Sequence, residues 1–280
     1  MDSLVSTEWL AGQMGASDIR ILDASKHLDP DRDPLSEYDA AHIPGAVFMD
    51  LADLVDADNP VPNSLPSPEK FASRMQTLGL GDGSRIVVYD DSDMRSAARA
   101  WFMLKLFGAH HVAVLDGGLA KWRAEGRDLE SGKTTLRHRH YTAWNDRDRL
   151  RSKAQMLANI ESGAESVVDA RPAGRFTGED SDIRPGIPSG HIPGSRNLPH
   201  SRLFEEDGTY KSPETLRALF EEAGVDLDKP VVTTCGSGMT AAVLAFALHL
   251  AGKHDVSLYD GSWSEWGADP ATPKELGPAG

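Results

Sequence analysis

The sequence contains a single cysteine, Cys235, in 280 residues. That excludes an internal disulfide and any multi-cysteine metal site, and leaves one thiol free to act as a nucleophile. No run approaches the ~20 consecutive apolar residues that span a bilayer, so no membrane association is expected. The first ten residues include Asp2 and Glu8 and lack a basic stretch followed by an apolar one. Secretion is therefore unsupported and a cytoplasmic location is the expectation. Positive charge is also scarce: 29 basic residues stand against 43 acidic ones, for a formal net charge of -14. Such a surface repels phosphate backbones and argues against nucleic acid as a partner, although a local basic pocket could still hold a small anion. The densest basic run, Arg137 to Arg139 with His138 and His140, is short and lies in a polar stretch, and it reads as solvated linker.

What is present suits a globular chain of two domains. Hydrophobic residues make up 40% and charged residues 26%, ordinary values that supply two modest cores at this length. The chain also repeats itself. Asp23-Ala24 followed by Ala41-His42-Ile43-Pro44-Gly45 recurs as Asp169-Ala170 followed by Gly190-His191-Ile192-Pro193-Gly194. Arg85-Ile86-Val87-Val88-Tyr89-Asp90-Asp91 matches Lys229-Pro230-Val231-Val232-Thr233-Thr234-Cys235, and Asp116-Gly117-Gly118 with Trp122 matches Asp260-Gly261-Ser262 with Trp266. Positions 91 and 235, 116 and 260, and 122 and 266 are each 144 apart. A period this long means two similar domains, since solenoid repeats run ~20–50 residues.

Each half alternates strand and helix. In the second, Ser152 caps a helix over 152–163, 166–170 is a β-branched run, and Pro213 opens another helix. Residues 230–234 form a buried strand, 239–251 a helix ended by Gly252, and 255–259 a further strand. The first half has strands near 19–23, 84–89 and 111–115. The expected fold class is α/β: two domains, each a mostly parallel sheet with helices on both faces. The boundaries are 1–132 for the first domain, 133–151 for a polar linker and 152–280 for the second.

In a parallel α/β sheet, ligands bind beyond the C-terminal ends of the strands, which is where Cys235 falls. Gly236-Ser237-Gly238-Met239-Thr240 then leads into a helix. Two glycines let the backbone curl close to a ligand, successive N–H groups can form an anion nest, and the helix N-terminus adds about half a positive charge. A free thiol ionises near pH ~8.5, and such surroundings favour the thiolate. The arrangement suits double-displacement catalysis, with sulfur held as a persulfide and removed by a second nucleophile. A buried structural thiol is the plain alternative. A cysteine phosphatase would need an arginine six positions after the cysteine, and that position is Ala241.

These residues resemble the rhodanese superfamily, and specifically its tandem-domain sulfurtransferases, over nearly the whole chain. The resemblance rests on both His-Ile-Pro-Gly elements, Asp169-Ala170-Arg171, Gly174-Arg175-Phe176, the Cys235–Thr240 loop and Asp260-Gly261-Ser262-Trp263. It implies a catalytically silent first domain, in keeping with Asp91 at the cysteine position. Thiosulfate-type loops resemble Cys-Arg-Lys-Gly-Val-Thr, and mercaptopyruvate-type loops resemble Cys-Gly-Ser-Gly-Val-Thr. The loop here departs from the second only at Met239, an apolar change expected to pack beneath the loop.

The implied activity transfers sulfur from 3-mercaptopyruvate through a Cys235 persulfide to a thiol or cyanide acceptor, with thioredoxin a candidate, and releases pyruvate. No cofactor is implied. The resemblance assigns the donor's carboxylate to Arg175 and Arg184, in bidentate geometry. It gives Gly236, Gly238, Met239 and Thr240 the substrate cradle, and makes Ser237 and Thr240 the hydroxyl donors for an enolate leaving group. In the tandem family the active site lies at the domain interface, so His42, with Asp33 or else Asp31 or Asp39, is expected to contact Ser237 in a proton relay. His191 and Arg171 read as structural, and two isolated histidines are a poor metal signal. The alternatives are a thiosulfate sulfurtransferase and a non-catalytic persulfide-carrying or protein-binding rhodanese module.

Overall fold

Short runs rich in Val, Ile and Leu pair into two parallel sheets. The computed structural model describes residues 1–279 and resolves two units. Unit 1 comprises Met1–Asp56, Leu65–Asp146 and Phe204–Tyr210. Its strands are β1 (Leu4–Val5), β2 (Ile19–Asp23), β3 (Ala46–Phe48), β4 (Arg85–Tyr89) and β5 (His111–Leu115), in the order β1-β5-β4-β2-β3, with every pairing parallel. Its helices are α1 (Thr7–Gln13), α2 (Pro34–Ala40), α3 (Pro68–Thr77), α4 (Ala97–Leu106) and α5 (Gly118–Ala124).

Unit 2 comprises Ala57–Ser64, Arg147–Leu203 and Lys211–Gly280. It repeats the plan with β6 (Leu150–Arg151), α6 (Lys153–Ser162), β7 (Ser166–Asp169), α7 (Ala173–Thr177), β8 (Arg196–Asn197), α8 (Pro213–Glu222), β9 (Val231–Thr234), α9 (Ala241–Leu250), β10 (Val256–Tyr259) and α10 (Ser262–Trp266). The order β6-β10-β9-β7-β8 reproduces that of unit 1 strand for strand, again all parallel. The α/β class and the duplication thus stand as the sequence suggests.

Local chemistry explains the element ends. Ser152 accepts from the Gln155 amide while the Gln155 side chain accepts from the Ser152 amide, a complete capping box. Ser212 and Pro213 open α8 in the same region of its first turn. Helix α9 begins at Ala241 rather than the expected 239, because Gly238 takes φ +77° and breaks the helical run. Its residues Ala241 to Leu248 are all buried, and a helix apolar on every side is a core helix. Strand β9 is buried along its whole length, as expected for a central parallel strand covered on both faces.

The segment read as linker is divided between the units. Residues up to Asp146 belong to unit 1: Tyr141 is buried with its ring edge-on to Phe71, Thr142 bonds Asp82, and the Trp144 amide donates to the Phe107 carbonyl. Residues from Arg147 belong to unit 2, where Leu150–Arg151 pairs with β10. One buried aromatic is enough to tie a polar stretch to a domain surface. Among the described residues, no helix is long and apolar enough to cross a membrane.

Candidate active site

Strand β9 ends at Thr234 between β10 and β7, and Cys235 follows it directly. Its loop is braced from one side by α10. The Cys235 carbonyl accepts from the Trp263 amide at 3.0 Å. The Gly236 carbonyl accepts three times: from the Ser264 amide and the Ser264 hydroxyl, each at 2.8 Å, and from Arg184 Nη1. In a trans peptide the next N–H points opposite to the carbonyl, so these bonds turn the amides of Gly236 and Ser237 away from α10. The amides of Gly236, Ser237, Met239 and Thr240 donate to no protein acceptor among the described residues. Four open donors within five residues make the anion nest that the sequence suggests.

Ser262 ties the loop together. Its hydroxyl accepts from the Cys235 amide at 3.2 Å and the Gly238 amide at 3.1 Å, and donates to the Tyr259 carbonyl at 2.8 Å. The residue is buried and holds φ +48°, a left-handed conformation unusual for a side chain of this type.

The same position in unit 1 shows what the loop looks like when filled. Gly118 stands there at φ +57°, and a Cβ on it would lie 2.4 Å from the Asp90 carbonyl oxygen. The amides of the unit 1 loop are satisfied internally: Asp91 by Ser25, Ser92 by Asp90, Met94 by the Ser92 hydroxyl and Arg95 by the Ser92 carbonyl. Burial pushes the Asp90 carboxyl up to about 6, against the amide bonds from Ala97 and Ser92 that pull it down. Asp91, in the cysteine position, pairs with Arg123 at 2.7 Å. Of the positions matching Gly236, Ser237, Met239 and Thr240, the amides of Ser92 and Arg95 are bonded in unit 1.

The structure departs from the sequence reading at the thiol itself. A nucleophile is expected to be open to its substrate, whereas Cys235 is 1% exposed. Arg184 reaches the next residue of the loop. Its guanidinium donates to the Gly236 carbonyl and the Ser264 hydroxyl, and a Cβ at Gly236 would stand 3.5 Å from Nη2. Met239 is buried in the same loop. Ser237 is half-buried with no hydroxyl partner among the described residues, and Thr240 sits at the N-cap of α9 without a side-chain cap bond.

Arg175 lies on α7, half-buried, and no carboxylate pairs with its guanidinium among the described residues, neither Glu179 nor Asp180. Arg184 in contrast is held by Asp182, Nε to Oδ1 and Nη2 to Oδ2, both at 2.7 Å. Burial raises the Asp182 carboxyl, but the bonds from Arg184 outweigh it and hold the group below its usual range. Arg171 makes the same Asp-x-Arg arrangement with Asp169, also donates to the Gly190 carbonyl, and lies 4.6 Å over the Trp263 ring. That is a structural brace, as its sequence context suggests.

His42 has no setting for a relay. Its ring is fully buried and stacked on Tyr38 at 4.0 Å, with Nδ1 2.7 Å from the Tyr38 carbonyl. Its Nε2 lies 3.5 Å from the Thr134 hydroxyl and 4.0 Å from Glu130. Asp33 caps α2 and accepts from the Leu35 amide and the Ser36 hydroxyl. His191 repeats the His42 arrangement against Phe176 and Glu275. A fully buried imidazole bonded to its own turn braces that turn, so the relay through His42 and Asp33 is given up. Asp182, Ser262 and Ser264 escape sequence reading. The signals for the first two are a repeat of the Asp-x-Arg spacing of Asp169 and Arg171 at Asp182 and Arg184, and the Gly118-to-Ser262 change at the duplicated position; Ser264 has none.

The rhodanese-like domain family matches this chain twice, over residues 6–125 and 152–269. Human 3-mercaptopyruvate sulfurtransferase is 42% identical over 94% of this chain and 91% of its own length. A thiosulfate sulfurtransferase of Cricetulus griseus is 40% identical over 99% of this chain and 97% of its own. The crystal structure of the Escherichia coli 3-mercaptopyruvate sulfotransferase superposes with a TM-score of 0.86 at 38% identity, covering 94% of this chain and 99% of that one. Overall identity thus barely separates the two donor classes.

Proposed function

Since the chain belongs to the rhodanese-like family, we propose that it is a 3-mercaptopyruvate sulfurtransferase that carries sulfur on Cys235. The observation that carries the donor choice is the loop: Gly236 and Ser237 stand where thiosulfate-type loops resemble Arg-Lys. A doubly charged donor finds no cations in the loop itself, whereas a monocarboxylate can be held from outside it.

The Cys235 thiolate attacks the thiol sulfur of the donor. An S–S bond forms, the donor's C–S bond breaks, and the electron pair leaves as the enolate of pyruvate. Protonation of its carbon completes pyruvate. Ser237 and Thr240 hydroxyls stabilise the enolate oxygen as its charge develops. The open amides of Gly236, Ser237, Met239 and Thr240 suit the outer persulfide sulfur, because none is committed to a protein acceptor. An acceptor thiolate or cyanide then takes that sulfur and returns Cys235 to the thiolate. Among cellular acceptors, a thioredoxin dithiol in the cytoplasm suits this second step.

Exposure to mercaptopyruvate should add the mass of one sulfur atom to the intact protein, and turnover with cyanide should favour mercaptopyruvate over thiosulfate. A clear preference for thiosulfate would reverse the donor choice. Arg175 supplies the carboxylate's uncommitted cation. Charge-assisted bonds contribute ~1.5–3 kcal/mol, so Arg175→Ala should lower kcat/KM for mercaptopyruvate by about 10- to 100-fold. With no structural partner to lose, its unfolding midpoint should match the parent. Unchanged kinetics would remove Arg175 from the site.

A further inference from the structure

The Gly236–Ser237 peptide is held at its oxygen end by a chain of bonds that begins on a buried acid. Asp182, whose side chain is 1% exposed, accepts from Arg184 Nε and Nη2, each at 2.7 Å, and from the Arg184 amide at 2.9 Å. A planar fork held on two edges leaves its third nitrogen little freedom. That nitrogen, Nη1, donates to the Gly236 carbonyl and to the buried Ser264 hydroxyl, and the hydroxyl donates in turn to the same carbonyl at 2.8 Å. The Ser264 amide adds a third bond there, also at 2.8 Å. Arg171 faces Asp182 as well, but it is itself paired with Asp169. The three bonds to the carbonyl fall opposite the Ser237 N–H of the same planar unit, and that N–H has no protein acceptor among the described residues. In unit 1, Ala120 stands 144 residues before Ser264 and offers no hydroxyl, in the copy that carries Asp91 in place of Cys235.

We propose, resting on the reading of Cys235 as the nucleophile, that Ser264 and Asp182 are positioning residues: they fix the Gly236–Ser237 peptide with the Arg184 charge on its oxygen, so that its N–H is aimed and strengthened as a donor to the sulfur anion. A cation and a hydroxyl on a carbonyl draw electron density toward the oxygen, and bonds in such a chain strengthen one another. The N–H at the other end of the same peptide becomes the better donor. Arg184 acts from behind the loop, through the peptide, and needs no contact with the sulfur. Ser264 is the link, since its hydroxyl accepts from the guanidinium and donates to the carbonyl.

The test is the pH profile of the rate at which iodoacetamide, a small neutral reagent, labels Cys235 in the full chain, followed by intact mass. Ser264→Ala removes the hydroxyl without changing any charge and leaves the backbone bond from position 264 in place. Its labelling midpoint should rise by about half a pH unit or more, roughly a threefold loss of rate below the midpoint. Asp182→Asn should raise the midpoint too, against the sign of its charge. By Coulomb's law alone, removing an anion near a thiol favours the thiolate and lowers the midpoint. A parent-like midpoint in Ser264→Ala overturns the proposal, and so does a parent-like or lowered midpoint in Asp182→Asn, which marks Arg184 as a bare charge. In either case, a parent protein that labels at Cys235 as a thiolate keeps its nucleophile, and only the orienting device fails. If Cys235 of the parent resists labelling across the profile, the reading of a reactive thiol fails and the device fails with it.

Discussion

Changing Cys235 to serine should reduce turnover to background, a loss on the order of a thousandfold or more, as for removal of other covalent nucleophiles. A hydroxyl is scarcely ionised at neutral pH and does not carry sulfur as a transferable atom, so neither half of the double displacement can proceed. The sequence holds no second cysteine to substitute. The intact mass after mercaptopyruvate should show no added sulfur. Stability should change little: the Cys235 sulfur has no hydrogen-bond partner among the described residues to lose, and the half-buried loop around it is polar. An exchange that left measurable persulfide formation would move the chemistry off Cys235 and undo the assignment.

The fold was legible because a duplicated pattern tests itself. A strand expected at 84–89 is supported when the same spacing returns 144 residues later, and β4 and β9 do occupy the same place in their two sheets. The short edge strands β1, β6 and β8 were not legible, since two residues carry no periodicity. At the site, Cys235 and its loop are marked by placement, a lone thiol after a buried strand in a Gly-x-Gly loop that leads into a helix. What stayed hidden was every contact that depends on where a long side chain turns. His42 sits in a motif that repeats as His191, and the sequence reading assigns a structural role to His191 alone, whereas the stacked rings and the carbonyl on Nδ1 give both the same setting. The contact of Arg184 with Gly236, 52 residues away, is of this kind.

Ser262 offers the sharpest separation of strain from hydrogen bonding. Ser262→Ala leaves the left-handed backbone in place and removes the hydroxyl, so the buried amides of Cys235 and Gly238 lose their common acceptor. A buried donor that loses its acceptor costs ~1–3 kcal/mol, for an expected loss of about 2–6 kcal/mol over the two bonds and a fall of roughly 5–15 °C in the unfolding midpoint. Ser262→Gly loses the same bonds but relieves the positive φ, which for a residue with a Cβ costs ~1 kcal/mol. The glycine variant should therefore be the more stable of the two while still falling short of the parent. Turnover should drop in both, because relief of strain does not restore the tie that sets the direction of the loop amides. Unit 1 already contains the strain-free solution at Gly118, in a loop where the amides of Ser92 and Met94 bond to the loop's own side chains. If Ser262→Ala and Ser262→Gly unfold at the parent temperature, the hydroxyl is not what holds the loop. If the alanine variant is the more stable, the backbone at 262 carries no strain and the comparison between the duplicated positions loses its physical basis.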